Sequence, residues 1–148
     1  MGVKTNFRLD GGAYTSLGIA TAYYAGALLT LAYEFDNYKF DLYRMYTNLP
    51  ACGAQRGHGA PQPKFAFESH LDNIALELGI DPLDIRLINA RQPNSRTVND
   101  FDIQSCELVE CLNRTAELSG WREKRKEGGL PKNRGIGMAT GAFVSGAG

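Results

Sequence analysis

A glycine-rich loop carries an arginine and a histidine that could contact an anion or a cofactor. Residues 48–62 read NLPACGAQRGHGAPQ, which places Arg56 and His58 among three glycines, namely Gly53, Gly57 and Gly59. Glycine lets the backbone turn tightly and approach a ligand closely. The planar fork of Arg56 suits a phosphate or carboxylate, and His58 adds an imidazole that could serve in a ligand site. A strand-like run enters the loop and a helix leaves it, so its backbone amides are also available to an anion or a cofactor.

The same part of the chain has purely structural interpretations. A glycine-rich connection between a strand and a helix is often only a turn, and Arg56 then ties it to a nearby carbonyl or carboxylate. Tyr23 and Tyr24 lie in an apolar run, where a core residue with a bonded hydroxyl is one interpretation and a catalytic phenol the other. His70 is predicted on a helix, at the surface or in the core. Cys52 has no adjacent basic residue to activate it as a nucleophile, and we expect it to be buried.

Hydrophobic periodicity predicts the strands and helices that surround these residues. Alternating segments at 3–10 and 38–47 predict strands. The small, apolar span 14–33 predicts a buried helix over much of its length. Three more helices are predicted: one from the glycine loop to Gly79, one that begins at Asp81-Pro82, and one from a Ser105 cap to Gly120. A final strand is predicted at 135–144. Strands and helices in this order indicate an α+β fold, with a mixed sheet and packed helices.

Two polar features receive conventional structural interpretations. In the helix after the loop, Phe67, Leu71, Ala75 and Leu78 fall at helical spacing, whereas Glu68 occupies another part of the wheel. The charged run 122–126 is diluted by acidic residues, so it predicts a solvated helix end rather than a nucleic-acid patch.

Composition excludes several classes of protein. Sixteen basic and sixteen acidic residues cancel in a chain of 148, so nothing favours electrostatic capture of nucleic acid or of an anionic membrane. No apolar run is long enough to span a bilayer, and the first residues open no secretory signal. Three cysteines without Cys-x-x-Cys spacing argue against a disulfide scaffold and a thiolate metal cage. A cytoplasmic protein is the simplest interpretation, and the strand-like ends predict a piece of a longer one.

Several blocks occur in order and at consistent spacing. They are DGGAY at 10–14, TNLP at 47–50, QRGHGAPQ at 55–62, FAFE at 65–68 followed by Asp72, Ile74-Ala75, Leu78-Gly79, Asp81-Pro82, Arg86 and Asn89, and GIG at 135–137. Together they resemble the large molybdenum-cofactor subunit of the xanthine oxidase, or molybdenum hydroxylase, family. Within it, the Arg-Gly-His-Gly loop and the tyrosine-rich segment look most like 4-hydroxybenzoyl-CoA reductase, because purine and aldehyde oxidisers usually have Phe at the position of His58.

The resemblance implies roles for four residues. The family's loop arginine contacts the molybdenum cofactor through its backbone amide, which implies that Arg56 and Gly57 bind the cofactor. The residue two positions further faces the substrate ring, which implies a substrate-binding role for His58. When the sequence is aligned without gaps back from the loop, Tyr24 falls at the position where purine oxidisers have a substrate-contacting arginine. The resemblance therefore implies that Tyr24 is a catalytic donor of a hydrogen bond or a proton, with Tyr23 as the alternative.

The resemblance also implies an organisation and an activity. Residues 1–133 are expected to be part of the first molybdopterin-binding domain, and 134–148 the opening strand of the following segment. The implied cofactor is molybdenum-molybdopterin in its cytosine dinucleotide form, with iron–sulfur clusters and FAD on partner subunits and the remainder of the same subunit as a further partner. The family's catalytic glutamate, in a Gly-x-Gly-Glu context, is absent from these residues.

The activity implied first is reduction of an aromatic acyl-CoA. The alternatives are oxidative hydroxylation of aldehydes or N-heterocycles, and a non-catalytic truncated fragment. In each case the isolated 148-residue chain is expected to be inactive.

Overall fold

Two parallel strands and the helix between them form the first half of the fold. The computed structural model describes residues 1–144. Strand β1 (Gly2–Asp10) is followed by helix α1 (Gly18–Ala27), a 3₁₀ turn (Leu28–Leu31) and strand β2 (Asn37–Met45). The two strands pair in parallel along their full length, from Gly2 opposite Asn37 to Asp10 opposite Met45. Because their carboxyl ends meet at one edge, residues 48–60 leave the sheet beside the start of α1.

Helix α1 packs closely on the sheet. A Cβ at Gly26 would come within 2.6 Å of the Phe40 ring, and the Tyr38 hydroxyl donates to the Gly26 carbonyl at 3.0 Å. The 3₁₀ turn that continues the helix is buried throughout, and includes Leu28 at the centre of the core. A helix within 14–33 is therefore confirmed, with a 3₁₀ turn as its final part, but its predicted burial holds mainly near the end of the helix and in that turn, since Ile19 and Tyr23 are 75% and 61% exposed.

Four helices follow in the second half. They are α2 (Pro61–Leu78), α3 (Pro82–Asn89), α4 (Leu108–Ser119) and α5 (Trp121–Lys124), and two short antiparallel strands, β3 (Ser95–Arg96) and β4 (Asp102–Ile103), lie between α3 and α4. Left-handed glycines end α2 and α4 at Gly79 and Gly120, as predicted. The Asp81 side chain accepts the Leu83 amide at 2.8 Å and caps α3.

The helices and strands enclose two main apolar clusters. One joins the 3₁₀ turn, α2 and α3, and its members include Leu29, Tyr33, Phe35, Phe67, Leu71, Ala75 and Ile85. The other joins α3, α4 and α5 around the buried Trp121. The mixed helix and strand content confirms the α+β class. No helix within the described residues is both long and apolar enough to cross a membrane.

Two local predictions are wrong. Leu78, predicted on the apolar face of α2, is 65% exposed, because the apolar cluster of the described residues reaches Ile74 and Ala75 but not that last turn. Glu107, rather than Ser105, occupies the N-cap of α4, and its side chain makes no capping bond. The charged run 122–126 is exposed, as predicted, and within it Arg122 pairs with Asp84.

The strand predicted near the end does not form in the part that the structure describes. Residues 135–144 form no regular secondary structure and pair with no strand of the described chain. They lie instead along α2, where apolar side chains such as Ala142 contact the core. Residues 145–148, which belong to the same prediction, lie outside the described part of the chain.

Candidate functional site

The tip of the glycine loop has an unusual backbone. Gly57, His58 and Gly59 adopt positive φ angles of +88°, +28° and +83° in succession. A side chain at Gly59 is excluded by space as well, because its Cβ would lie 2.3 Å from the carbonyl oxygen of Thr21. His58 alone bears a side chain in this conformation, at a cost of about 1–3 kcal/mol. The loop therefore sits directly on α1 in a shape that its glycines make possible.

His58 is held against α1 by two contacts. Its Nε2 lies 3.1 Å from Thr21 Oγ1, and its ring centroid lies 5.2 Å from that of Tyr24, at an interplanar angle of 57°. The fold thus brings together the two residues that the sequence singles out for substrate binding and catalysis. Tyr23 is 61% exposed and meets only the edge of the Tyr24 ring, so Tyr24 is the tyrosine that faces His58.

Arg56 differs from its neighbours in having no protein partner. Its side chain is exposed, and within residues 1–144 it makes no hydrogen bond or ion pair, so the structural tie considered for it is not observed there. In the same part of the chain, the amides of Arg56 and Gly57 meet no protein acceptor, whereas the His58 amide donates to Gln55 at 2.7 Å. The loop tip consequently presents unpaired backbone donors beside the His58 and Tyr24 rings.

A groove extends from this loop along α2. It has a volume of about 680 Å³ and runs between the first half of α2 and the extended residues 137–143, with Gly57 at one end. Its lining is mostly apolar but includes Lys64, Glu68 and Asp72. Burial lowers the pKa of the Lys64 amine, and the nearby Glu68 charge partly opposes that shift.

A buried polar network forms the floor of this groove. Glu68 Oε1 accepts from the Tyr33 hydroxyl at 2.7 Å and from Thr140 Oγ1 at 2.6 Å. Its Oε2 accepts from Arg86 Nε at 2.9 Å, and a second arm of the fully buried guanidinium donates to Asp72 at 2.7 Å. Burial raises the pKa of the Tyr33 phenol, and the Glu68 charge adds to the rise. The phenol is therefore neutral and acts as a donor to the carboxylate.

Sequence reasoning missed several residues of this site. Thr21 lies three positions before Tyr24, so helical spacing alone places it on the same face. Glu68 was assigned to a polar part of the wheel but is only 6% exposed, because Arg86 and Tyr33 come from other elements to meet it. Phe143, whose ring centroid lies 6.1 Å from that of Tyr24, had no local signal.

The remaining candidate residues take no part. Cys52, expected to be buried, is exposed, and its thiol donates to the Asp10 carbonyl at 2.9 Å. His70 lies exposed on α2, in agreement with its surface interpretation. No group of three or more His, Cys, Asp or Glu side chains in residues 1–144 could hold a metal ion.

Comparisons with known proteins identify the family of this chain. Residues 1–90 match the family model of the molybdopterin cofactor-binding domain. The chain is 40% identical over 140 residues to a putative xanthine dehydrogenase molybdenum-binding subunit of Escherichia coli (strain K12), covering 90% of this chain and 18% of the relative. It is 36% identical over 109 residues to the nicotinate dehydrogenase large molybdopterin subunit of Eubacterium barkeri, covering 73% of this chain and 26% of that protein.

The fold is likewise found in a solved structure. The crystal structure of the aldehyde oxidoreductase from Desulfovibrio desulfuricans aligns with a TM-score of 0.73 and 25% identity, over 83% of this chain and 14% of that one. The chain thus spans only a minor part of the length of the relatives that it matches.

Proposed function

This chain belongs to the molybdopterin cofactor-binding domain family, and we propose that it contributes the cofactor loop and one substrate wall of a molybdenum-dependent oxidoreductase. We propose an oxidative hydroxylase of the xanthine dehydrogenase and aldehyde oxidoreductase type, acting on an aldehyde or an N-heterocycle. The names of the similar proteins support that substrate class. The observation that carries the proposal is the pair of free amides at Arg56 and Gly57 beside the Tyr24–His58 ring pair.

The residues present suit the organic part of such a cofactor. The amides of Arg56 and Gly57 donate to its oxygen or nitrogen acceptors, and the left-handed backbone at Gly57 keeps both donors exposed. The bound group supplies two-electron chemistry that side chains lack. His58 and Tyr24 present ring faces that orient a planar substrate, and the Tyr24 hydroxyl donates a hydrogen bond to the substrate atom that gains negative charge.

The wider organisation is proposed on the same basis. We propose the cytosine dinucleotide form of the cofactor, with partner subunits that would carry iron–sulfur clusters and FAD. Residues 1–133 form part of the first molybdopterin-binding domain, and 134–148 lead into the next segment of the same subunit. Residues outside these supply the catalytic glutamate, so the 148-residue chain by itself is inactive. We place the protein in the cytoplasm, without nucleic-acid or membrane partners.

One observation favours a second candidate, reduction of an aromatic acyl-CoA as in 4-hydroxybenzoyl-CoA reductase. A phenol lies against an imidazole where Tyr24 meets His58, at 5.2 Å between centroids. Two groups that can each hand over a proton suit protonation of a reduced ring. The proteins similar to this chain favour the oxidative alternative, so the acyl-CoA activity ranks second. A non-catalytic fragment is the third possibility.

Molybdenum content tests the cofactor loop. The protein that contains this chain is produced in a cofactor-making host, and metal is measured in Gly57→Ala, Arg56→Ala and Gly53→Ala variants. Gly57→Ala should lose most of its molybdenum, because φ +88° is strained for alanine and the amides must shift. Arg56→Ala keeps the amide, and a Cβ at Gly53 meets nothing within 4 Å, so both should retain metal. Full retention by Gly57→Ala would refute the assignment.

A substrate panel separates the two activities. Turnover is measured with an aldehyde, an N-heterocycle and an aromatic acyl thioester, for the wild type and Tyr24→Phe. Tyr24→Phe should lower turnover while molybdenum content is unchanged, because only the hydroxyl donor is lost. Activity on the thioester alone would establish the second candidate, and unchanged turnover in Tyr24→Phe would remove Tyr24 from catalysis.

A further inference from the structure

Residues 137–143 have one hydrogen-bonded anchor. Thr140 Oγ1 donates to Glu68 Oε1 at 2.6 Å and lies 3.0 Å from the Tyr33 hydroxyl oxygen. In the described residues these are the only hydrogen bonds of the segment, which has no strand partner and no backbone bond to a neighbouring element. Apolar contacts of Met138 and Ala142 with the core also hold the segment, and Thr140 adds its one directional contact with α2.

The anchor itself is rigid. Glu68 is held by Arg86 through two close contacts, at 2.9 Å from Nε and 2.7 Å from Nη2, and by Tyr33 at 2.7 Å. All three side chains are buried, and they come from separate elements. Charge-assisted hydrogen bonds of this kind are short and directional. Glu68 Oε1 consequently offers the Thr140 hydroxyl a fixed acceptor on α2.

The anchored segment delivers an aromatic ring to the candidate site. Phe143 lies three residues beyond Thr140, or about 10 Å along an extended chain. Its ring centroid is 6.1 Å from that of Tyr24, which in turn contacts His58. Phe143 also lines the groove of about 680 Å³ together with Gly57. Three aromatic rings from three segments thus meet where the groove reaches the glycine loop.

We infer that Thr140 is a positioning residue and Phe143 a specificity-determining residue of this site. The Thr140 hydroxyl, bonded to Glu68, sets the extended segment so that Phe143 forms a third aromatic wall beside Tyr24 and His58. Such a wall favours a flat, conjugated ring over a small aliphatic aldehyde, because ring faces and edges attract one another in offset geometries. This inference rests on the proposed oxidoreductase function and narrows its substrate class.

Kinetics of the cofactor-loaded protein test the inference. Thr140→Val removes the hydroxyl at nearly constant shape, and should raise KM for an N-heterocycle or aromatic aldehyde about tenfold, as expected for loss of one hydrogen bond to a charged group. KM for a short aliphatic aldehyde and kcat should change less than about twofold, within ordinary surface-variant effects. Thr140→Ser should restore the wild-type values, and Phe143→Leu should reproduce the selectivity loss.

A matched control separates this role from general destabilisation. Thr5→Val removes a hydroxyl on β1 whose only hydrogen bond is long, at 3.4 Å to the Lys39 carbonyl, and should leave both KM values unchanged. Equal KM changes for aromatic and aliphatic substrates in Thr140→Val would overturn the specificity role. Failure of Thr140→Ser to rescue would overturn the hydroxyl as the anchor.

A readout that does not need activity distinguishes failure of this inference from failure of the proposed function. Hydrogen exchange of the amides in 137–143 and chymotryptic cleavage after Phe143 are measured on the protein that contains this chain. Both should increase in Thr140→Val and stay at wild-type values in Thr140→Ser. Unchanged exchange in Thr140→Val overturns the anchor even if the protein turns over substrate. If the wild type carries no molybdenum, the proposed function fails, and the exchange data still decide whether Thr140 is the anchor.

Discussion

The tip of the glycine loop and the buried Glu68–Arg86 network differ in how their polar groups are satisfied. At the loop tip, residues 56–59 combine left-handed backbone, an exposed Arg56 and amides without a protein partner in residues 1–144. In the network, both Glu68 oxygens and the Arg86 guanidinium are bonded to groups from several elements. Unpaired donors are therefore concentrated where a ligand is proposed to bind, and paired charges where helices must be held.

The two regions are adjacent, and their order along the chain explains how they cooperate. Pro61 starts α2 directly after the loop, and Glu68 lies two turns further along the same helix. A strained loop keeps its shape only if its ends are fixed by rigid elements. The network provides that support by tying α2 to α3 through Arg86.

Breaking the network should have the largest effect. Arg86→Met leaves Glu68 as a buried, uncompensated charge, and the free energy of unfolding should fall by about 3–5 kcal/mol. Urea unfolding measures this free energy. Arg56→Ala, at the glycine loop, is the control, and its free energy of unfolding should stay within about 0.5 kcal/mol of the wild-type value. The double variant Arg86→Met with Glu68→Gln should recover part of the loss. If the single and double variants were equally unstable, the loss would come from packing and not from the charge.

Strain in the loop should give the next largest effect. Gly59→Ala places a Cβ 2.3 Å from the Thr21 carbonyl at φ +83°, and we expect a loss of about 1–3 kcal/mol. Gly53→Ala is the matched control, since nothing lies within 4 Å of its Cβ, and should change stability by less than about 0.5 kcal/mol. Thermal unfolding measures both variants. Equal effects of the two would mean that the loop does not sit on α1 as described.

Alkaline pH should weaken the network. Burial and the Glu68 charge raise the pKa of Tyr33 in the folded protein. The contribution of Tyr33 to the free energy of unfolding is therefore fully present below the pKa of an unfolded tyrosine, about 10, and is lost by about 1.4 kcal/mol per pH unit as the pH rises above it. Tyr33→Phe should flatten the fall in unfolding free energy between about pH 10 and 11. Tyr14→Phe, at an exposed residue, should retain the wild-type slope. The same slope in Tyr33→Phe would contradict the assignment.

Breaking an exposed ion pair should have the smallest effect on the free energy of unfolding. The pKa of Asp84 is lowered, chiefly by a hydrogen bond from Arg122. The contribution of Asp84 to the free energy of unfolding is therefore present above the pKa of an unfolded aspartate, about 4, and is lost as the pH falls below it. Arg122 is half exposed, and Asp84→Asn should cost less than about 1 kcal/mol at pH 7, diminishing with salt. Chemical unfolding at several pH values tests this, with the exposed Glu77→Gln as control. A cost comparable to that of Arg86→Met would erase the contrast between buried and exposed pairs.

Local signals predicted the elements of the fold well. Alternation located β1 and β2, and Gly79, Asp81-Pro82 and Gly120 marked helix ends that the structure confirms. These features depend on a residue's own backbone preferences and on its nearest neighbours, which are visible in one dimension. The resemblance to the molybdenum hydroxylase family is confirmed by the match over residues 1–90, while the narrower likeness to an acyl-CoA reductase remains a proposal.

Long-range partners explain most of what local signals missed. A helical wheel shows that Glu68 departs from the apolar face, but it cannot show that Arg86 and Tyr33 approach from that side. An apolar run at 135–144 has the composition of a strand, yet within the described residues it pairs with neither free edge of the two-stranded β1–β2 sheet and lies along α2 instead. Both errors assume surroundings that only the assembled fold specifies.

The sequence by itself indicated that Arg56 and His58 could contact a ligand, because glycine spacing and side-chain type are local properties, and the family resemblance added Gly57 and Tyr24. The tertiary structure decided that His58 meets Tyr24 and that Thr140 anchors Phe143 beside them. Those contacts join residues from distant parts of the chain. They arise because parallel pairing of β1 and β2 brings α1 beside the loop, and because one buried carboxylate gathers donors from three other segments.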